Sequence, residues 1–339
     1  MVPRSRAGLL VLDGPRAGGH RERSIRYIRK IIEYALYRAI AFVVPFLPRR
    51  AAVALGRRLG GLYCLLDARG RRTGMENLRR TFPGRTGLRS LLQQAMRQSG
   101  VAMIDALWSA RLKPERVPQY FEFPAEHARR LNTLAARGRG VIVATAHFGS
   151  WEMLNLASGA LGLPRSTVIA RPVRNPWIDR HMRRIRERNG NRLVYRDRAL
   201  PACIGALRRG ELVCSVIDMA IRPEEGGMFV DFCGTPALTS GALAMLAVRR
   251  RAPLAFVVCR PLEGGRRYVL EAEVIEVRDT GDRDAEVGRV TAELNHALER
   301  KVRAHPEAWI WNYKRWKWRP CEAPGGLYPS YALWVHPHW

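Results

Sequence analysis

The residues best suited to chemistry are His147 and Glu152, within Ala146-His147-Phe148-Gly149-Ser150-Trp151-Glu152-Met153. A histidine with a nearby carboxylate can work as a general base whose tautomer is fixed and whose imidazolium is steadied. The surroundings strengthen that reading. Gly140-Val141-Ile142-Val143-Ala144-Thr145 has the β-branched, apolar character of a buried strand, and Met153-Leu154-Asn155-Leu156-Ala157 opens like a helix. The pair then stands at the carboxyl end of a strand, where α/β sheets gather their ligands. Gly149 permits a sharp turn and Ser150 is an expected helix N-cap. Glu152 falls in the first helical turn and is expected to fold back on the imidazole.

The elements that would position this pair alternate. Strands are expected at Val141–Ala144, Thr167–Ala170, Arg192–Tyr195, Leu212–Ile217 and Leu254–Val258, with helices at Trp151–Leu161, Trp177–Arg188, Pro201–Arg208 and Ser240–Arg249. Tyr268–Val277 reads as an edge strand or hairpin member and Ala285–Ala304 as a last amphipathic helix. Such alternation implies βαβ units, hence an α/β fold with a mainly parallel sheet flanked by helices. Just past the expected strand tips lie Arg171-Pro172 with Asn175-Pro176, then Asp218, then a glycine-bearing stretch read as loop from Gly226 to Gly234-Thr235-Pro236. Singly, each has a plain explanation: Arg171 as one surface arginine among many, Asp218 as a helix cap. Together they suggest transfer onto a hydroxyl. His147 would take the acceptor's proton, and Arg171 would steady an oxyanion or grip a phosphate. Nothing in the motif supplies an acyl-enzyme nucleophile except Ser150, inside the turn, so direct attack on a bound thioester is favoured.

The chain divides by texture. Residues 1–24 are rich in Arg, Gly and Pro and read as a disordered basic arm; 25–136 read as helical throughout; 137–320 carry the α/β pattern; 321–339 read as a tail, with His336 and His338 solvated. Ile31–Val44 is strongly apolar but holds Glu33 and Arg38, and its clean portion is about half the roughly 20 residues a span needs. Flanking arginines and internal aromatics suit a helix lying on an anionic membrane surface. A tilted insertion, or packing on the protein itself, remains open. The 58 basic residues against 30 acidic leave a charge of +28, which attracts polyanions: nucleic acid, phospholipid headgroups, phosphorylated glycolipid or an acidic carrier protein. No specific nucleic-acid motif accompanies the charge. The six cysteines lack metal-ligand spacing, so reduced thiols are expected and neither metal nor cofactor.

The motifs resemble those of the lipid A biosynthesis lauroyl/myristoyl acyltransferases, a branch of the lysophospholipid acyltransferase superfamily. The resemblance spans roughly Ile31 to Pro320. It rests on Glu76-Asn77-Leu78-Arg79-Arg80-Thr81-Phe82-Pro83, the His147–Glu152 segment, Ala170-Arg171-Pro172 with Asn175-Pro176, and Asp218. Phe232-Cys233-Gly234-Thr235-Pro236-Ala237 and the run from Pro306-Glu307-Ala308-Trp309 to Trp318-Arg319-Pro320 complete it. The resemblance implies a glycerolphosphate-acyltransferase-like fold with a membrane-associated N-terminal section. It implies transfer of a fatty acyl chain from acyl carrier protein or CoA to a glycolipid hydroxyl, at the cytoplasmic face of the inner membrane. It places catalysis on His147 and Glu152, and substrate contacts on Arg171, Asn175, Asp218 and Gly234-Thr235-Pro236. Met219-Ala220 after Asp218, and Cys233 before the glycine, depart from the family pattern. Other acceptors, such as a phosphatidylinositol mannoside or an ornithine-type lipid, fit the same motifs. The basic, aromatic run from Trp309 to Trp318 suits the headgroup region, or packing over the sheet. A basic nucleic-acid-binding protein and a catalytically silent membrane scaffold are the readings from other classes.

Overall fold

A computed structural model describes residues 18–188 and 190–335. Residues 1–17 of the expected basic arm, and His336 and His338, lie outside the described residues. A seven-stranded sheet forms the centre, in the order β1-β9-β8-β2-β5-β3-β4, parallel throughout except for the β8–β9 pair. Its strands are β1 (Phe121–Glu122), β2 (Val141–Thr145), β3 (Ser166–Ala170), β4 (Arg192–Tyr195), β5 (Leu212–Val216), β8 (Leu254–Leu262) and β9 (Arg267–Ile275). The bounds of the expected strands thus fall within four residues of the observed ones, and those of Arg192–Tyr195 coincide. Central β2 is buried at all five positions, which is why it reads as an unbroken apolar run.

Helices cover both faces, as parallel strands require. One face packs beneath α4 (Leu88–Trp108), α5 (Ala125–Ala135), α6 (Trp151–Ala160) and α7 (Pro176–Glu187). The other packs against α8 (Ala199–Arg208), α9 (Ala242–Arg250) and α10 (Arg283–Ala304). Before the sheet come α1 (Gly18–Val43), α2 (Arg49–Leu66) and α3 (Ala68–Thr81). Backbones of α2 and α4 meet where Gly60 faces Met96 and Gly100 faces Gly56; a Cβ on Gly60 would sit 2.3 Å from the Met96 carbonyl oxygen. The helical reading of residues 25–136 needs one correction: Phe121–Glu122 forms a strand beside β9, too short to leave a period-two signature.

A second correction concerns the stretch read as loop. Met228–Phe232 (β6) and Thr235–Thr239 (β7) form an antiparallel hairpin turned by Cys233 and Gly234, both at positive φ. Beneath it runs the C-terminal aromatic segment. Trp309, Trp311, Trp316 and Arg315 are fully buried, so these four residues are core rather than headgroup contacts. Each indole finds an acceptor: Asp218 for Trp309, the Pro306 carbonyl for Trp311 and the Thr235 carbonyl for Trp316. Arg315 donates to the Leu238 carbonyl, Thr239 Oγ1 and Asn295 Oδ1. Glu76 and Asn77 hold this region to α3. Asn77 donates to the Trp311 and Tyr313 carbonyls at 2.8 Å, and Glu76 accepts from Ser330. Trp318–Arg319 (β10) pairs with Leu333–Trp334 (β11) to close the chain.

Candidate active site

Register decides which side chains meet. Adjacent strands β2 and β5 end on the pair Thr145↔Val216. His147 and Asp218 each stand two residues further on, side by side at the sheet's carboxyl edge. Asp218 Oδ1 lies 2.9 Å from His147 Nδ1, and its Oδ2 accepts from the His147 backbone N–H at 2.9 Å and the Trp309 indole at 3.0 Å. Asp218 is 1 % exposed, so this carboxylate is spent on orienting the imidazole. With Nδ1 engaged, Nε2 is the nitrogen left to a substrate. The Trp151 ring meets the imidazole edge-on at 4.7 Å.

Glu152 does not fold back on the imidazole. Its carboxylate is held by the Arg186 guanidinium of α7, with Nε to Oε2 at 3.1 Å and the second arm on Oε1. The reason is local. Glu152 leaves the second position of α6 toward the neighbouring helix, while His147 precedes the turn. Glu152 reaches the histidine through its field only. Burial is the largest influence on His147 and pulls its pKa down; the charge and hydrogen bond of Asp218, aided by the charge of Glu152, outweigh it and leave the pKa above 6.5. Burial likewise pushes Asp218 up, but the histidine and the indole hold it below its ordinary value.

The turn between β2 and α6 is held by backbone. Gly149 N–H donates to the Ala308 carbonyl at 2.8 Å and Ser150 N–H to the Cys259 carbonyl at 3.2 Å. Ser150 does occupy the N-cap position, but its hydroxyl makes no cap hydrogen bond. That side chain is fully buried and does not line the cavity beside His147, which sets aside a covalent route through it.

His147 opens onto a cavity of about 530 Å³. On one face of the sheet it is lined by Val141, Val143 and Thr145 of β2, with Leu212, Cys214 and Val216 of β5. From Val141 to His147 this lining runs ~20 Å at the usual strand rise. The cavity also touches Ser215, Ile217, Cys203 and Leu243, which belong to the opposite face. A fork in the sheet accounts for both. The β3–β5 ladder stops at Val168↔Cys214; beyond it β3 continues to Ala170 beside β4, and β5 to Val216 beside β2. Burial pushes the lining thiols up, Cys203 to about 11 and Cys214 to about 12, so neither is a thiolate nucleophile at neutral pH.

The remaining expected contacts separate. Arg171 lines the cavity mouth. Asn175 does not: it is buried as the N-cap of α7, accepting from Trp177 N–H, and donates to the Lys30 carbonyl of α1. Gly234, Thr235 and Pro236 form the hairpin turn and start of β7 and also lie off the cavity, bound by carbonyls to Trp316 and Tyr328. Their signature explains a fold position, not a contact with this cavity. Met219, noted in the sequence only as a departure after Asp218, lines it, as do Arg186 and Arg196, to which the sequence assigns no role. Arg196 follows the tip of β4 as Arg171 follows that of β3, and that parallel was the available signal.

The family model for bacterial lipid A biosynthesis acyltransferase matches residues 19–318. The chain is similar to the lipid A biosynthesis palmitoleoyltransferase of Escherichia coli K12, 25% identical over 280 residues, which cover 81% of this chain and 87% of that protein. It is 26% identical to the lipid A biosynthesis lauroyltransferase of the same organism over 289 residues, 84% of this chain and 91% of that one. A lipid A biosynthesis acyltransferase of Haemophilus influenzae is 23% identical over 282 residues, covering 81% and 86%.

Proposed function

Because the chain belongs to the bacterial lipid A biosynthesis acyltransferase family, we propose that it moves a fatty acyl chain from the thioester of acyl carrier protein or CoA to a hydroxyl of a lipid A precursor, at the cytoplasmic face of the inner membrane. The observation that carries this reading is the His147–Asp218 pair at the mouth of an apolar cavity. His147 Nε2 takes the proton from the acceptor hydroxyl as its oxygen attacks the thioester carbonyl. Asp218 holds the tautomer and stabilises the imidazolium, which then protonates the departing thiolate. Glu152 and Arg186 hold α6 to α7 beside the histidine, and the charge of Glu152 favours the imidazolium.

The aliphatic lining along β2 and β5 suits the donor chain. Val141 stands at the far end, and Val141→Phe is expected to shift preference toward shorter acyl donors, read by competition between thioesters of different length. A several-fold change is expected, since methylene-scale discrimination in an apolar pocket is worth ~1–3 kcal/mol. Unchanged chain-length preference would remove this lobe from donor binding.

Attachment to the membrane is proposed through α1 and α2. Ile25, Ile28, Ile32, Leu36, Phe42 and Phe46 are exposed on and just after α1, as are Leu62, Leu65 and Leu66 on α2. Apolar surface of this extent beside many arginines suits the headgroup boundary of an anionic leaflet. Among the described residues no helix is long and apolar enough to cross a membrane. Ile32→Glu with Phe42→Glu is expected to release the protein from phosphatidylglycerol vesicles in flotation; retention would argue against this face. The reading as a whole is tested by incubating purified protein with acyl carrier protein or CoA thioesters and a panel of glycolipids. Gain of one acyl chain by a lipid A precursor supports it; acylation of a different glycolipid alone moves the acceptor, and no acylation refutes it.

A further inference from the structure

Arg171 and Arg196 rise from neighbouring strand tips, after β3 and β4, and both line the cavity that His147 lines. Their guanidiniums converge on one atom. Oε2 of Glu225 lies 2.7 Å from Arg196 Nη1 and 3.9 Å from Arg171 Nη2, and accepts from the Arg222 backbone N–H at 2.9 Å. Glu225 closes a single 3-10 turn, Pro223–Glu225, seven residues past Asp218, and does not itself line the cavity. Two guanidiniums therefore present their cavity side to a ligand while a carboxylate behind them offsets their repulsion. Two cations against one anion leave a surplus of positive charge at the mouth of an otherwise aliphatic cavity. Two guanidiniums that flank one carboxylate oxygen, Arg196 in hydrogen-bond contact and Arg171 in a longer ion pair, are also spaced to bracket one phosphate.

The geometry points to Arg171 and Arg196 as a two-armed phosphate site at the cavity mouth, with Glu225 as the positioning residue that keeps the arms together. It rests on the acyl-transfer reading for its substrate, a phosphate ester. That group is present on a phosphorylated glycolipid acceptor and in the phosphopantetheine arm of the donor, and kinetics separates the two. Arg196→Gln and Arg171→Gln are expected to raise KM about 10- to 100-fold for the substrate whose phosphate is bound, as loss of a charge-assisted hydrogen bond would. The other substrate's KM should move little, and kcat less than KM. If the acceptor is the bound partner, wild type will discriminate phosphorylated from dephosphorylated acceptor and Arg196→Gln will not. Glu225→Gln keeps an acceptor for the Arg222 N–H and should raise the same KM by a smaller factor.

A measurement that needs no turnover keeps this claim separate from the transfer reading. Inorganic phosphate, compared with chloride at equal ionic strength, is expected to raise the melting temperature of wild type more than that of Arg196→Gln or Arg171→Gln. Equal phosphate shifts in all three proteins would overturn the site, even if transfer is observed. So would KM values for both substrates rising together with a fall in melting temperature. Differential phosphate protection without any acyl transfer would instead keep the site and remove the transfer reading.

Discussion

Asp218→Asn is expected to cut acyl transfer by about 10²–10⁴-fold, the worth of a correctly held general base. Glu152→Gln is expected to cost about tenfold, the scale of one charge acting at a distance in a partly screened site. The difference follows from geometry. Asparagine at position 218 can still meet the Trp309 indole and one histidine N–H, but it carries no charge to steady an imidazolium and can present its amide to Nδ1. Glutamine at position 152 loosens an ion pair with Arg186 and leaves the histidine's hydrogen bond untouched. The pH profile gives an independent reading. The base must be neutral, so kcat/KM rises with pH through the His147 pKa, which lies above 6.5. Removing Asp218 removes the stronger of the two acidic partners that favour the protonated form, so the rising limb moves to lower pH even as the rate falls. Equal losses in the two variants, or a limb displaced to higher pH in Asp218→Asn, would show that Asp218 does not orient the base.

Gly149→Ala carries the second large effect. At φ +60° an added Cβ would lie 1.8 Å from the carbonyl oxygen of Cys259, a fully buried residue of β8. Neither side can yield without breaking the Ser150-to-Cys259 hydrogen bond that fixes the turn. The combined overpacking and left-handed strain is expected to cost about 3 kcal/mol or more. Activity should fall further than stability, because His147 and Glu152 flank this turn. Gly234→Ala is the matching control: its φ is +77° but a Cβ there meets nothing within 4 Å, so only the conformational term of about 1 kcal/mol applies. Thermal unfolding of the two variants side by side measures the difference. Equal shifts would mean that close approach at Gly149 is not what demands glycine.

Most of the sheet was legible in the sequence, because buried parallel strands are continuous β-branched runs separated by helical periodicity. Val141–Thr145 shows this best, with all five positions buried, while edge strand β4 falls at its expected bounds, Arg192–Tyr195, with only Leu193 buried. The β6–β7 hairpin was not, since Gly226, Gly227, Gly234 and Pro236 mark its short strands as loop. The orienting carboxylate is hidden from the sequence for a different reason. Glu152 is near His147 along the chain, whereas Asp218 is 71 residues away and becomes its neighbour only through the β2–β5 register. Both residues were recognisable as strand-tip groups, but pairing them required knowing which strands are adjacent. The C-terminal tryptophans were ambiguous in kind: indoles beside Arg and Lys suit a membrane interface and a polar-tipped core equally. At Trp309, Trp311 and Trp316 the indole acceptors and the fully buried Arg315 decide for the core.

The most direct single test is transfer by the purified full chain and by His147→Ala, each given an acyl thioester and a lipid A precursor, with the lipid product weighed by mass spectrometry. Wild type is expected to add one acyl chain. His147→Ala, with its melting temperature near wild type because a strand-tip residue carries little of the core, is expected to add almost none. A folded His147→Ala protein that acylates the precursor at the wild-type rate would contradict the proposed chemistry.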